Sequence, residues 1–276
     1  MNELWFAVIL CLSSLGAGLL GALSGLGGGV VIVPLLTIVF HVDIHYAIGA
    51  SLVSVIATSS GAAAAYVREG FSNIRVGMFL EIATTLGALL GAWLTTRVPT
   101  QAIGVIFGRV LLYSAYSSLR MRHEEITEKP DALALRLRLK GDLPTLGGTQ
   151  AYVAQRVPLG FGLMWVAGAL SGLLGIGSGA VKVIAMDQAM RLPFKVSTTT
   201  SNFMIGVTAA ASAGLYWRSG YMAPSLVFPV MLGVLAGSLL GSKLLVRAQV
   251  RTLKIVFSLV IVAMGIEMIV KSVKGF

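Results

Sequence analysis

The chain has 276 residues, 56% of them hydrophobic and only 12% charged, and its mean hydropathy is +0.88. Soluble domains carry about 25% charged residues, so a soluble enzyme or binding module is excluded and an all-α integral membrane protein is expected. The net charge of +10 is no nucleic-acid footprint, because the basic residues lie between apolar runs, where they orient a chain in a membrane.

The apolar runs of the first half are residues 4–24, 28–40, 46–67, 75–96 and 101–119, and those of the second are 159–174, 178–190, 196–217, 223–245 and 252–270. A span needs about 20 residues to cross about 30 Å of hydrocarbon. Six runs meet or nearly meet that length, and 101–119 and 252–270 come close. Runs 28–40 and 178–190 are shorter, about 20 Å of helix each, and read as short spans or as helices that start at mid-membrane. The first run begins after Glu3 and continues for about 20 residues, so it reads as the first membrane helix rather than a signal peptide. Cys11, the only cysteine, lies within it and allows no internal disulfide.

Gly25-Leu26-Gly27-Gly28-Gly29 precedes the first short run, and Gly175-Ile176-Gly177-Ser178-Gly179 precedes the second. They belong to an internal repeat with a constant offset of 150 positions, which pairs Gly18 with Gly168, Ser51 with Ser201, Thr58 with Thr208, Tyr66 with Tyr216, Arg68 with Arg218, Arg97 with Arg247 and Phe107 with Phe257. Composition bias would not align charged and aromatic residues in this way. With five spans per half, Arg68, Arg75, the basic residues of the loop, Arg191, Lys195, Arg247 and Arg251 fall on one side. Arg97, Arg218, Lys271 and Lys274 fall on the other. The positive-inside rule then makes the repeats inverted, with the loop cytoplasmic and both termini external. The expected organisation is a first transmembrane repeat over 1–120, a cytoplasmic connection over 121–158 and a second repeat over 159–276. In the connection, 132–139 alternates with a period near two before Gly141, and 151–157 would be its partner strand, which suggests a small hairpin. A solvated linker is the other reading. The pairs Gly21/Gly25, Gly87/Gly91, Gly168/Gly172 and Gly237/Gly241 have the small-xxx-small spacing of close helix packing.

Lipid cannot satisfy freed backbone groups, so unwound backbone at membrane depth belongs inside protein or beside a water-filled cavity. Two glycine-broken segments at matching places in two halves point to a transporter's binding site. The candidate substrate-binding residues are Gly27, Gly28, Gly29 and Ser51 from the first half, with Gly177, Ser178, Gly179, Lys182, Ser201 and Asn202 from the second. Glycine lets backbone N–H groups approach a ligand closely. Lys182 is an intramembrane cation, a functional hypothesis by default, and hydroxyls and an amide can donate to anion oxygens. Lys182 has Ile32 as its repeat mate, so the site is asymmetric in charge. Thr198, Thr199 and Thr200 read as helix-internal hydrogen bonding. Glu81 and Asp187 are the acidic residues that could carry a coupling proton, although Glu81 lies within two turns of Arg75 and Asp187 near the end of its short run. His41 and His45 read as interfacial, and Glu267 with Lys271 as a surface pair. No HExxH, no metal-spaced histidine or cysteine pair and no dinucleotide fingerprint occurs, so neither an enzyme nor a cofactor is expected.

The two glycine motifs, Val33-Pro34 after the first, Ala180-Val181-Lys182-Val183 after the second, then Leu192-Pro193-Phe194-Lys195-Val196, Thr200-Ser201-Asn202-Phe203-Met204-Ile205-Gly206-Val207-Thr208 and Pro229-Val230-Met231-Leu232-Gly233, resemble the TauE/SafE sulfite-exporter family over nearly the whole chain. Ser178 and Ile184 depart from the pattern. The resemblance implies a multi-pass inner-membrane carrier of sulfite, thiosulfate, a sulfonate or a related small organic anion, with the glycine loops and serines at the site. Alternating access is the expected mechanism. The expected partners are this anion and the lipid bilayer. A coupling ion, proton or sodium, is not demanded, since an inside-negative potential of 100 mV drives each exported negative charge by about 2.3 kcal/mol. The rival readings are an anion channel, a carrier of a small carboxylate, and a membrane scaffold whose glycines serve packing alone.

Overall fold

The computed structural model describes residues 3–24, 28–68, 72–119, 131–145, 148–245 and 250–274. The first half contains α1 (Glu3–Ser24), α2 (Gly29–Pro34), α3 (Ile44–Arg68), α4 (Ile74–Thr95) and α5 (Thr100–Leu119). A connection follows, made of a one-turn helix α6 (Ala132–Arg136) and strands β1 (Lys140–Thr145) and β2 (Gly148–Val153). The second half contains α7 (Val157–Leu174), α8 (Gly179–Ile184), α9 (Phe194–Arg218), α10 (Pro224–Leu245) and α11 (Val250–Lys274). Among the described residues, three helical stretches are long and apolar enough to cross a membrane by length and composition: Leu4–Gly21, Ile74–Thr95 and Val157–Leu174. Large apolar side chains, among them Trp5, Met78, Trp93, Leu159, Phe228 and Leu232, stand exposed on the outer faces of α1, α4, α7 and α10, as lipid contact requires.

Both short helices continue into a single π-helical turn, Leu35–Val39 after α2 and Ala185–Ala189 after α8. Pro34 precedes the first turn and Ile184 the second, so the wide turn does not need a proline. Its closing bonds repeat at the same offset: Phe40 N donates to Leu35 O and Met190 N to Ala185 O, while Val42 N donates to Leu36 O and Leu192 N to Met186 O. The next residues, His41 and Arg191, are both left-handed, with φ of 55° and 51°.

Helix α1 packs along α10, α4 along α7, α3 along α9 and α5 along α11. The closest crossings are glycine against carbonyl. A Cβ on Gly18 would run into Val234 O and one on Gly168 into Thr84 O. Likewise Gly237 faces Leu15 O, Gly87 faces Trp165 O, Gly91 faces Ala169 O and Gly172 faces Ala88 O. With no Cβ, the backbones approach until Cα–H meets carbonyl oxygen. Shifting the Gly18–Val234 contact by 150 positions gives the Gly168–Thr84 contact, and Gly87–Trp165 likewise pairs with Gly237–Leu15. Gly25, the partner in one expected spacing, lies outside the described residues.

A hairpin does form in the connection, but its first strand follows the alternating 132–139 stretch, and its second, Gly148–Val153, begins three residues before the expected partner 151–157 and overlaps it. Residues 132–136 are helical: Ala, Leu and Arg are strong helix formers, and Asp131 caps them by accepting Leu133 N at 3.1 Å. The strands pair antiparallel, with Lys140 opposite Val153 and Gly141 opposite Tyr152. Buried Ala134, Leu139, Leu143 and Tyr152 join Val76, Leu80, Met186, Met190, Leu192 and Val196 in one apolar cluster. Asn73 ties the hairpin to α4: its Nδ2 donates to Tyr152 Oη at 2.9 Å and to Lys140 O at 3.2 Å, and its Oδ1 caps α4 by accepting Val76 N. Gln155 N donates to Met190 O at 2.9 Å, just past the second π turn.

Candidate functional site

The two glycine segments meet at the α3–α9 contact. A Cβ on Gly29 would lie 3.1 Å from Gly175 O, 2.7 Å from Ser51 Oγ and 2.6 Å from Val55 Cγ2. Gly175 and Gly177 are left-handed, with φ of 67° and 68°, and Ser178 is too, with φ of 45°. A Cβ on Gly177 would press on Ile205 and Val55. Gly175 and Gly177 therefore need glycine both for conformation and for space, and Gly29 for space alone. Gly28 precedes α2 in ordinary right-handed conformation, and Gly27 lies outside the described residues.

Ser51 and Ser201 occupy matching places. Ser51 Oγ donates to Gly175 O at 2.8 Å and lies 3.4 Å from Gly29 O, while Ser201 Oγ donates to Gly179 O at 3.3 Å. Both hydroxyl protons thus hold the glycine backbone in place, and either serine must rotate before it can donate to a ligand. Ser178 starts α8 without a side-chain cap, and its buried Oγ has no hydrogen-bond partner among the described residues. Asn202 is buried beside Ser201. Thr198 and Thr199 bond back into their own helix, and Thr200 Oγ1 accepts Asn73 N at 3.0 Å, so this triplet serves structure.

Lys182 is fully buried. Its Nζ donates to Thr208 Oγ1 at 2.6 Å, and Thr208 Oγ1 donates to Glu81 Oε1, also at 2.6 Å. Glu81 Oε1 also accepts Thr85 Oγ1 at 3.1 Å. The lysine and the carboxylate do not form a direct ion pair, because the threonine hydroxyl stands between them. Three helices build the relay, α8 through Lys182, α9 through Thr208 and α4 through Glu81. Glu81 is therefore not an Arg75 partner held at a helix end. Arg75 is exposed at the start of α4, and Glu81 points inward. The repeat mates of Lys182 and Glu81 are Ile32 and Met231, while that of Thr208 is Thr58, which bonds only to carbonyls of its own helix. Only one of the two symmetry-related places is therefore charged, and it is built from both halves, Glu81 from the first and Lys182 from the second.

In the sequence Thr208 stands out only as the repeat match of Thr58 and as the last residue of the family-like stretch, not as a site residue. Its signal was spacing: Ser197, Ser201, Thr208 and Ser212 fall on one face of α9, and all four are buried. Among the described residues no group of histidine, cysteine, aspartate and glutamate could hold a metal.

A model of the family described as Sulfite exporter TauE/SafE matches residues 10–268. The chain belongs to that family. Among curated proteins it is similar to the Bacillus subtilis (strain 168) "Probable membrane transporter protein YunE", with 27% identity covering 96% of this chain and 98% of that protein. It is similar also to "Probable membrane transporter protein YdhB" of the same strain, with 29% identity over 82% and 85%. "Probable membrane transporter protein MJ0441" of Methanocaldococcus jannaschii is 23% identical over 91% of each chain. No solved structure matches the chain. The glycine segments, the serines and the Lys182–Thr208–Glu81 relay of this TauE/SafE member all lie within the matched residues. Its apolar helices make it a membrane protein of a transporter family.

Proposed function

We propose that the chain is a multi-pass inner-membrane carrier, working by alternating access, that moves a small sulfur-containing anion such as sulfite, thiosulfate or a sulfonate, with export as its direction. The observation that carries this reading is the fully buried Lys182 ammonium, which has a neutral hydroxyl and no carboxylate in direct contact. An intramembrane cation held in that way has charge to offer an incoming anion. Gly27, Gly28, Gly29, Gly177, Ser178 and Gly179 supply backbone N–H groups, Ser51, Ser201 and Asn202 supply side-chain donors, and the unpartnered Ser178 Oγ is one donor already free to turn. The family's description favours sulfur oxyanions over carboxylates. Contacts that recur at the 150-residue offset, together with the distribution of arginine and lysine, support two inverted five-helix repeats with the hairpin on the cytoplasmic side and both termini outside.

The test is thermal unfolding of the purified chain with sulfite, sulfate, thiosulfate, a sulfonate and a carboxylate. A ligand that binds only the folded state raises apparent stability, by about 2.7 kcal/mol at a hundred times its dissociation constant. A selective shift with sulfite or thiosulfate that disappears in Lys182→Met and weakens in Ser201→Ala is the expected result. An equal shift in Lys182→Met would remove the lysine from the site, and no shift or flux with any sulfur anion would reject the carrier reading.

A further inference from the structure

The relay contains one enclosed polar atom with nothing bound to it. Glu81 Oε1 has two hydroxyl donors, but Glu81 Oε2 is buried and has no hydrogen-bond partner among the described residues. The side chain as a whole is 9% exposed. An ionised carboxylate oxygen enclosed without a donor is costly, and a proton on it lowers that cost by removing the charge. Thr208 adds a second feature. Its hydroxyl has one proton and two acceptors in reach, Glu81 Oε1 at 2.6 Å and Met204 O at 2.9 Å. The link from Glu81 to Lys182 can therefore be made or released by rotation about one bond.

We infer that Glu81 carries a coupling proton, and that this proton and the substrate anion occupy the Lys182 site together. The inference rests on Lys182 being the anion's counter-charge. With Glu81 ionised, its negative charge offsets the ammonium through Thr208, and a second anion meets repulsion. A proton taken from water forms an O–H bond at Glu81 Oε2 and leaves a neutral carboxylic acid. Thr208 then turns its proton to Met204 O, and Lys182, still an ammonium, faces the anion alone. On the opposite side the anion leaves, the O–H bond breaks, the proton returns to water and the carboxylate takes back the Thr208 proton. One proton crosses with one anion in either direction, so export runs when the outward anion gradient exceeds the opposing pH gradient, and Lys182 never changes protonation state.

The groups around the relay leave this role to Glu81. The charge that acts on Glu81 is that of Lys182, and the reverse. On the elements packed about them, Arg75 of α4, Arg109 of α5, Arg156 before α7 and Lys195 of α9 are exposed, and Asp187 lies beyond α8 on the π turn. The symmetry-related place, with Ile32 and Met231, has nothing to protonate.

The experiment uses the full chain in liposomes with the membrane potential clamped at zero and labelled sulfite or thiosulfate as the probe. A pH difference of one unit, alkaline inside, should support about a tenfold accumulation of the probe in the native protein for one-to-one coupling. Glu81→Gln should lose the accumulation driven by the pH difference, and whatever anion-for-anion counterflow remains should no longer vary with pH. Counterflow in the native protein with no response to the pH difference would overturn the inference and leave the anion reading standing, and so would a tenfold accumulation in Glu81→Gln. Absence of counterflow with either probe would overturn both. If Glu81→Gln does not fold, infrared difference spectra of the native protein in lipid decide the point. A protonated-carboxyl band that grows on adding thiosulfate supports the inference, and an unchanged carboxyl region rejects it.

Discussion

Gly177→Ala is the substitution that tests the glycine segment most sharply. Gly177 is left-handed at φ 68°, and a residue with a Cβ incurs about 1–2 kcal/mol there. The new methyl would also lie 2.8 Å from Ile205 Cγ2 and 3.2 Å from Val55 Cγ1. Ile205 is buried and β-branched, hence stiff, so overpacking adds about 1–3 kcal/mol. The total is about 2–5 kcal/mol of lost stability. Gly220→Ala is the matched control: Gly220 has φ 77° with nothing within 4 Å of its added Cβ, so only the conformational part, about 1–2 kcal/mol, applies. Denaturant unfolding of both variants in the same detergent measures the difference. A Gly177→Ala protein no less stable than Gly220→Ala would refute the close approach of the second glycine segment to α3 and α9, and with it the placement of the site.

Gly87→Ala should destabilise the α4–α7 crossing by about 1–3 kcal/mol, because its Cβ meets Trp165 O and lies 2.9 Å from Ala169 N, backbone atoms that cannot turn aside. Gly162→Ala, with nothing within 4 Å, should be neutral or gain up to about 1 kcal/mol of helix propensity, and thermal unfolding ranks the two. Tyr152→Phe should weaken the hairpin by about 0.5–1.5 kcal/mol through loss of the bond from Asn73 Nδ2, read as faster protease cleavage within the hairpin. The same tyrosine sets an alkaline limit. Burial pushes its phenol above the usual value of 10.0, the Asn73 bond opposes this, and Asp142 adds to it. A folded value above the unfolded one means the contribution is complete below about pH 10 and is lost as pH rises past it. Hairpin protection in the native protein should therefore fall above that pH and stay flat in Tyr152→Phe.

Much of the helical layout was legible because a bilayer imposes it. The run at 75–96 became Ile74–Thr95, and the short runs at 28–40 and 178–190 became α2 and α8 with their π turns. Glycines at offset 150 announced where backbones would touch, since only a missing Cβ permits such contact. The first strand was misplaced because 132–139 alternates in polarity while its residues prefer helix, and the Asp131 cap decides between the two. The roles of Ser51 and Ser201 escaped because a hydroxyl in a sequence does not say whether its proton goes to a ligand or to a carbonyl.

The sequence by itself determined a membrane protein, an internal repeat, two broken segments and one lysine where lipid would not welcome it. All of these follow from local cost, hydrocarbon thickness and backbone hydrogen bonding, which act along the chain. Only the tertiary structure decided what the lysine faces. Glu81, Thr208 and Lys182 are far apart in sequence and come together because glycine lets α4 close on α7 while α9 packs against α4 and α8. An acid and a base that read separately as a candidate proton carrier near Arg75 and an anion site become one hydroxyl-linked relay, since electrostatics acts through space and not along the chain.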